Sequence, residues 1–354
     1  MNTLLGKTLE ELQAVALSVG LQKFAGKQLA EWLYVRRVRS FDEMTNISLK
    51  GREALKASYT IGRHAPVREA ISTDGTRKYL FKISAISHQD SEQFIESVYI
   101  PEDDRATLCV STQMGCKMGC RFCMTGTLGF HGQLSAAEIL NQIFEIDQIA
   151  VNHQLSALSN LVYMGEGEPM DNLDNVLRSL DIMTASYGCA WSPKRITVST
   201  VGIPAMKRFL DESECHLAVS MHNPFAAERA AIMPAEKMMS ITEVVQLIKQ
   251  YDWCHQRRVS FEYICWGEQN DSPRHAKELL RLLKGLNCRI NLIRFHEGVD
   301  RQFPASNEKQ MEWLRDYLTN NGLTTTIRRS RGEDILAACG MLVNALSQCA
   351  DKQS

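Results

Sequence analysis

The chain has 354 residues, of which 44% are hydrophobic and 23% are charged, and its formal net charge is −1. This composition supports one or two folded domains and excludes a low-complexity chain. The N-terminal stretch MNTLLGKTLEELQAVALSVG lacks the apolar core of a signal peptide. No stretch approaches the roughly 18 uninterrupted apolar residues of a membrane span. We therefore expect a cytoplasmic protein that does not associate with a membrane.

Residues 1–65 are predicted to form a small helical module. LEELQAVALSVG and GKQLAEWLYVRRV place apolar residues three and four positions apart, which is the spacing of amphipathic helices. Residues 1–85 contain 14 Lys and Arg against 8 Asp and Glu, a local charge of +6. The group of Arg36, Arg37 and Arg39 suits contact with the phosphates of a nucleic acid, although a solvated helix end has the same pattern.

Residues 66–100 are predicted to be a β-rich connector, because TRKYLFKISAI and FIESVYIP alternate apolar and polar residues. In residues 101–345, short apolar runs alternate with segments of helical period. Six runs are predicted as strands: ATLCVST, NLVYMG, RITVST, HLAVSM, VSFEYI and INLIRF. Ser135 and Glu138 form a capping box at the start of the first intervening helix. This α/β pattern predicts a parallel sheet, either a partial (βα)6 barrel or a doubly wound sheet.

Residues that carry chemistry follow the predicted strands. Both candidate architectures place their sites at the C-terminal ends of parallel strands. The residues found there are Cys116 to Cys123 after the first strand, Gly165-Glu166-Gly167-Glu168-Pro169 after the second, Ser199 and Thr200 at the third, His222 after the fourth and His296 after the sixth. One site at that edge of the sheet is therefore expected.

Three cysteines in CKMGCRFC, at positions 116, 120 and 123, are the most specific feature. In a reducing compartment, closely spaced cysteines more often bind metal or do chemistry than form disulfides. Three thiolates fill all but one position of a zinc site, or bind three irons of a [4Fe–4S] cluster and leave the fourth free. Zinc sites favour paired CxxC motifs, and no second pair occurs here. The cluster is therefore favoured, with zinc as the alternative.

CxxxCxxC with Phe122 before the last cysteine resembles the signature of radical S-adenosylmethionine (SAM) enzymes. RATLCVSTQMGCKMGCRFC, YMGEGEPMDN, RITVSTVGIP, AVSMHNP, INLIRF and RGEDILAACG occur in the order found in the bacterial ribosomal RNA adenine methyltransferases RlmN and Cfr. The similarity extends from about residue 90 to 343 and is closer to RlmN. It implies a partial (βα)6 radical SAM barrel, a [4Fe–4S] cluster on Cys116, Cys120 and Cys123, and SAM on the free iron.

The resemblance also implies an activity, which is methylation of C2 of an adenosine. The implied target is adenosine 2503 of 23S ribosomal RNA, with adenosine 37 of transfer RNA as a second target. Two SAM molecules are used per turnover: the first methylates Cys339, and the second is cleaved to a radical that takes a hydrogen from that methyl group. The methylene adds to the base, and Cys109 then attacks the sulfur of Cys339 and leaves a disulfide. Flavodoxin or ferredoxin would supply electrons, and a monomer is expected.

Further residues match the family by position. Glu96 corresponds to the proton acceptor and Met164 to a methionine near the radical chemistry. The cofactor-binding positions are Gly167, Glu168, Ser199, Ser220, Met221, His222 and His296. Arg328, Arg329 and Arg331 are expected to lower the pKa of the Cys339 thiol. For each of these positions, including Cys109 and Cys339, ordinary packing or surface exposure is the competing interpretation.

The chain departs from the family pattern at four positions. Glu166 and Met341 replace a methionine and a glutamine, His296 replaces an asparagine, and Leu336 replaces an aspartate. Three other functions stay open from the sequence: methylation of C8 as in Cfr, radical SAM chemistry on a protein or small molecule, and a zinc-stabilised RNA-binding module without catalysis.

Overall fold

A computed structural model describes residues 2–83, 93–253, 258–295 and 303–342. In these ranges, the strands are β1 (Asn2–Thr3), β2 (Tyr59–Thr60), β3 (Arg68–Ile71), β4 (Arg77–Ile83), β5 (Gln93–Pro101), β6 (Ala106–Cys109), β7 (Gln113–Gly115), β8 (Phe130–Gln133), β9 (Asn160–Tyr163), β10 (Ile196–Thr200), β11 (His216–Ser220), β12 (Val259–Cys265), β13 (Cys288–Arg294) and β14 (Thr325–Ile327).

The main sheet of the described chain has the strand order β14-β13-β12-β11-β10-β9-β6-β5-β4-β3. Strands β6, β9, β10, β11, β12 and β13 pair in parallel, and they are the six predicted from the sequence. The partial (βα)6 barrel is therefore confirmed over the doubly wound sheet, in which strand order would reverse about its centre. Strand β14 extends the parallel part and was not predicted.

The connector joins the same sheet on its other side. Strands β3, β4 and β5 pair antiparallel with one another, and β5 pairs antiparallel with β6. Val98 of β5 lies opposite Cys109 of β6, and Cys109 lies beside Val162 of β9. The register therefore brings residues of the connector onto the sheet next to the first barrel strand.

The described helices are α1 (Leu9–Ser18), α2 (Ala25–Ala30), α3 (Leu49–Ser58), α4 (Met124–Thr127), α5 (Ala136–Asn152), α6 (Leu173–Thr184), α7 (Met206–Glu212), α8 (Ala226–Ile232), α9 (Ile241–Ile248), α10 (Pro273–Leu283) and α11 (Glu308–Asn320). A π-helical turn, Glu31–Val35, continues α2. The predicted capping box is present: Ser135 Oγ accepts from the amide of Glu138, whose carboxylate accepts from the amide of Ser135. None of the described helices combines the length and apolarity needed to cross a membrane.

The N-terminal module packs against α5 through arginine. Arg37 pairs with Asp147, and Arg39 pairs with Glu145. Arg63 Nε donates to Glu145 at 2.7 Å, and both side chains are buried. Two of the three arginines that suited phosphate contact are thus committed to carboxylates of the barrel. Arg37 and Arg39 therefore help to hold the module against the barrel, and phosphate contact by these side chains stays a prediction.

Candidate active site

The three motif cysteines lie in the loop between β7 and α4. The amide of Cys116 donates to the carbonyl of Gly129 at 2.8 Å, and the amide of Cys123 donates to the carbonyl of Cys120 at 3.1 Å. Cys123 is also the residue from which α4 begins. Burial, with the charges of Glu168 and Cys123, raises the pKa of the Cys116 thiol to about 12. Burial, with the charges of Cys123 and Cys116, also raises the pKa of the Cys120 thiol. The three sulfur atoms therefore share one electrostatic environment.

This donor set fits an iron–sulfur cluster. Three thiols lie in one partly buried loop, and thiolates are the ligands that such clusters use. Across the described ranges, no group of three or more His, Cys, Asp or Glu is arranged to hold one metal ion. Each thiolate of a cluster binds a different iron atom, so its ligands need not converge on a single point. Cys116, Cys120 and Cys123 are the residues that would hold the cluster, with one iron left for another ligand.

The glycine-containing loop after β9 packs against the strand that precedes the cysteines. Gly167 has φ +98°, and a Cβ there would lie 2.5 Å from Cβ of Gln113. Gln113 Oε1 accepts from the amide of Glu168 at 2.8 Å. The Glu168 carboxylate accepts from the amides of Met170 and Val201, at 3.0 and 2.8 Å. Burial raises the pKa of Glu168 to about 7, against these hydrogen bonds. Glu168 thus fixes the loop to the end of β10.

Glu166, the departure from the family methionine, is fully enclosed. Its Oε1 accepts from the amide of Glu96 at 2.8 Å, and its Oε2 from the amide of Gly115 at 3.4 Å. Its own amide donates to Ser111 Oγ at 2.8 Å. Burial, helped by the nearby charge of Glu96, raises the pKa of Glu166 to about 8. The carboxyl therefore connects β5, the start of the cysteine loop and the loop after β9.

Three of the predicted cofactor positions lie at the ends of β10 and β11. Ser199 Oγ donates to the carbonyl of Tyr163 at 2.9 Å. The carbonyls of Ser220 and Met221 accept from the guanidinium of Arg229, at 2.8 and 2.9 Å. Arg229 is fully buried and also pairs with Glu236. The structure therefore gathers these positions at one edge of the sheet and holds two of them by a single arginine.

His222 follows β11 and is buried beside the cysteine motif. Its ring lies edge-on to Phe122, with 4.7 Å between ring centroids. Nδ1 accepts from the amide of Ile264 at 3.1 Å, so Nε2 carries the proton of the neutral ring. Burial and the charge of Arg229 lower the pKa of His222 to about 3. His222 therefore offers a neutral N–H donor at this edge, whereas His296 lies outside the described residues.

A second group of candidate catalytic residues lies along β5, β6 and β9. Cys109 is buried with Val98, Ala337 and Leu342, and Met164 packs against this cluster. The charge of Cys339 and, above all, burial raise the pKa of the Cys109 thiol to about 12. Cys339 is accessible to solvent, although protein surrounds it closely enough that desolvation raises its thiol pKa. The structure thus brings the two predicted reactive cysteines together.

One arginine supplies the positive field expected beside these thiols. Arg328 lies near both cysteines and lowers the pKa of each, but desolvation is the larger effect, so the net shift is upward. Its Nη1 is 3.9 Å from Met164 Sδ and 3.5 Å from Glu262 Oε2. The expectation of a lowered thiol pKa is therefore wrong in its net direction. Arg331 instead lies 3.9 Å from Asp74.

Glu96 is fully buried on β5, so the interpretation as an exposed strand-edge carboxylate is wrong. Its Oε1 lies 2.9 Å from Lys78 Nζ on the neighbouring strand β4. A buried carboxylate is stable only with such a partner. Glu96 therefore lies at the same inner face as Cys109, within a strand of the connector.

Similarity to known proteins extends over nearly the whole chain. Residues 2–61 match the model described as "Ribosomal RNA large subunit methyltransferase N-terminal domain". A protein of Bacteroides thetaiotaomicron named "Probable dual-specificity RNA methyltransferase RlmN" is 55% identical over 343 residues, covering 97% of this chain and 96% of the relative. The "Dual-specificity RNA methyltransferase RlmN" of Syntrophus aciditrophicus is 39% identical, covering 95% of this chain and 94% of the relative. The chain belongs to the RlmN family.

A solved structure agrees with membership of the RlmN family. The crystal structure of a radical SAM methyltransferase from Sphaerobacter thermophilus has a TM-score of 0.88 and 34% identity to this chain. The match includes 97% of this chain and 99% of the chain in that structure. The fold is thus that of a radical SAM methyltransferase, and the RlmN family implies SAM and a [4Fe–4S] cluster as cofactors.

Two buried charged residues of this RlmN-family chain were missed by sequence reasoning. Lys78 sits within the hydrophobic strand segment KYLF, and Arg229 within the helix AAERAAI. The signal in the sequence is a charged residue inside an apolar run, which indicates burial. A buried charged residue in turn indicates an ion-pair partner, because such residues are almost never fully buried unless paired. That Lys78 pairs with Glu96, and Arg229 with Glu236, is seen only in the structure.

Proposed function

We propose that this chain methylates C2 of an adenosine in RNA, namely adenosine 2503 of 23S ribosomal RNA, and adenosine 37 of transfer RNA as well. The names of the RlmN relatives support RNA as the substrate and its dual specificity. The observation that carries the chemical proposal is the proximity of Cys109 to Cys339, beside the loop of the three cluster cysteines. A zinc-binding module would have no use for that second pair of thiols.

In this proposal, Cys339 carries the methyl group. Cys339 is an exposed residue, and the guanidinium of Arg328 favours its thiolate form against the effect of desolvation. Bound SAM would supply the methyl group, and a second SAM with the cluster would supply the hydrogen-abstracting radical and the exchange of single electrons. Met164 packs against the cluster that contains Cys109 and Ala337.

The methylene on Cys339 forms a carbon–carbon bond to C2 of the adenine, and the C2 hydrogen leaves as a proton to Glu96. The thiolate of Cys109 then attacks the sulfur of Cys339. An S–S bond forms while the S–CH2 bond breaks, and its electron pair stays on the transferred carbon, which takes a proton and becomes the methyl group. A thiol reductant returns two electrons and restores both cysteines.

Other residues bind and orient in this proposal. Gly167, Glu168, Ser199, Ser220, Met221 and His222 surround the cofactor, with His296 as a further candidate. The target base must leave its stack to reach Cys339. In this proposal, the chain divides into residues 1–65, 66–100 and 101–345, and residues 1–65 are the RNA-binding module. A monomer in the cytoplasm, reduced by flavodoxin or ferredoxin, completes it.

The test uses anaerobically purified enzyme with RNA. Cys109→Ala should accumulate a covalent enzyme–RNA adduct, because the thiol that releases the product is gone. Cys339→Ala should make neither adduct nor product while keeping the brown colour of the cluster. Cys288→Ala, a half-buried cysteine of β13, is the matched control and should behave as wild type. Ordinary product from Cys109→Ala at the wild-type rate would refute the proposal.

Regiochemistry has its own measurement. Mass spectrometry of nucleosides from treated RNA should find 2-methyladenosine. Methylation at C8 would move the chain to the Cfr reaction, and unmodified RNA together with a modified protein or metabolite would indicate a different substrate.

A further inference from the structure

Lys78 and Glu96 form a buried ion pair between β4 and β5. Lys78 Nζ lies 2.9 Å from Glu96 Oε1, and the two side chains are 1% and 0% exposed. Leu80 is opposite Glu96 and Lys78 is opposite Val98, so both charged side chains project from one face of the sheet in diagonal positions. Val98 lies opposite Cys109 in turn. The pair therefore occupies the face that carries the two reactive cysteines.

The same ammonium group contacts the segment that carries Cys339. Besides this ion pair, Lys78 Nζ donates a hydrogen bond of 3.3 Å to the carbonyl of Leu336. Leu336 has φ +52°, a left-handed conformation that residues other than glycine adopt rarely. Such a conformation persists only where its surroundings hold it. Lys78 is one of the contacts that hold this strained residue, three positions before Cys339.

The main chain of Glu96 is fixed separately. Its amide donates to Glu166 Oε1 at 2.8 Å, so the backbone of β5 is anchored to the loop after β9. The carboxylate of Glu96 is directed by Lys78 instead. Without the ammonium group, a buried carboxylate turns toward another donor, because it cannot remain unpaired away from water. The carboxylate of Glu96 and the carbonyl of Leu336 therefore share Lys78 as a contact.

We propose that Lys78 is a positioning residue, which holds the proton-accepting carboxylate of Glu96 at a fixed place relative to the Cys339 segment. This inference rests on the proposed roles of Glu96 and Cys339. It adds a residue that acts through another and does not itself touch the RNA. A lysine suits the task because its ammonium group has three donors and can bind a carboxylate and a carbonyl at once.

The experiment compares Lys78→Met, Glu96→Gln, the double variant and Lys78→Arg as reconstituted holoenzymes. Two steps are measured separately by mass spectrometry: S-methylation of Cys339 with SAM alone, and release of methylated adenosine in a single turnover with RNA. Lys78→Met should slow product release about tenfold and S-methylation much less, because Met124 and Thr125 still anchor the Cys339 segment. Lys78→Arg, which keeps the charge, should recover most of that loss. Lys82→Met removes an exposed charge of the same strand and serves as control.

The double variant decides whether Lys78 acts through Glu96. If it does, Lys78→Met/Glu96→Gln should release product no more slowly than Glu96→Gln alone. The double variant leaves no unpaired charge in the core, so it should fold even if Lys78→Met does not. Its release rate can then still be compared with that of Glu96→Gln. Additive losses, or equal losses of S-methylation and release in Lys78→Met, would overturn the inference. Wild-type release by Glu96→Gln would instead refute the proposed role of Glu96, while S-methylation of Cys339 would still stand.

Discussion

The amide of Met124 donates a hydrogen bond of 2.8 Å to the carbonyl of Gly340. Met124 directly follows the last cysteine of the cluster motif, and Gly340 directly follows Cys339. The loop proposed to hold the cluster and the segment that carries the proposed methyl carrier are therefore joined residue to residue. A second bond, from Thr125 Oγ1 to the carbonyl of Leu342 at 2.9 Å, reinforces the connection.

Thr125→Val tests this connection. Thr125 is buried, so valine fills its space but leaves the carbonyl of Leu342 without its donor. The free energy of unfolding should fall by about 1–3 kcal/mol, and S-methylation of Cys339 should slow. Chemical denaturation and mass spectrometry measure the two effects. Thr127→Val removes an exposed hydroxyl of the same helix and should change neither. Equal behaviour of the two variants would contradict the prediction.

Gly167→Ala should damage the cofactor loop. The new Cβ would have to sit at φ +98° and 2.5 Å from Gln113 Cβ, which displaces the side chain that anchors Glu168. Gly322→Ala is the matched control, because Gly322 has φ +88° with open space around it. Backbone strain should cost each variant about 1–2 kcal/mol of folding free energy. Only Gly167→Ala should also lose affinity for SAM in calorimetric titration. Similar SAM affinities would argue against the loop's role.

Arg63→Met should loosen the N-terminal module. Arg63 is buried and shares Glu145 with Arg39, so its loss removes one of two partners from a buried carboxylate. We expect a loss of about 3 kcal/mol, as for other broken buried ion pairs. Arg178→Met, in a half-exposed pair with Glu11, should cost about 0–1 kcal/mol. Hydrogen exchange of α1 and α2 should increase in the first variant only. A loss at Arg63 no larger than that at Arg178 would show that this contact does not hold the module.

Glu166 should make stability depend on pH. Its pKa is raised to about 8 in the folded chain, from an ordinary value of 4.5. Between these values the folded state binds a proton that the unfolded state lacks, so stability falls as pH rises, by at most about 1.4 kcal/mol per pH unit. Glu166→Gln should remove this slope relative to wild type. The free energy of unfolding, measured from pH 5 to 9, checks it. Parallel curves for the two proteins would mean that Glu166 is not the group responsible.

The sequence predicted those features that depend on local order. Apolar periodicity located the six barrel strands, and the capping box marked where α5 begins, because both report the surroundings of neighbouring residues. The ion pairs of Lys78 with Glu96 and of Arg63 with Glu145 could not be predicted from the sequence. These partners are 18 and 82 positions apart in the chain. Only the strand register and the packing of the module bring them together.

Cys109 and Cys339, the proposed reactive cysteines, show the same difference between local and long-range features. Their identity came from motif order, whereas their mutual proximity depends on how the C-terminal segment lies across β5 and β6. The direction of the thiol pKa was also missed. A positive neighbour can be read from RRSR, but the desolvation that outweighs it is a property of the folded surroundings.

The segment that carries Cys339 is anchored on both sides of that residue, by Lys78 before it and by Met124 and Thr125 after it. Its sulfur can therefore sweep only the small arc that rotation of one short side chain permits. Under the proposed mechanism, the RNA must bring its target nucleotide to a sulfur atom whose position is fixed. Selection among RNAs then depends on the free energy needed to deform each RNA at its target nucleotide. The RNA for which this free energy is smallest is the one that is modified.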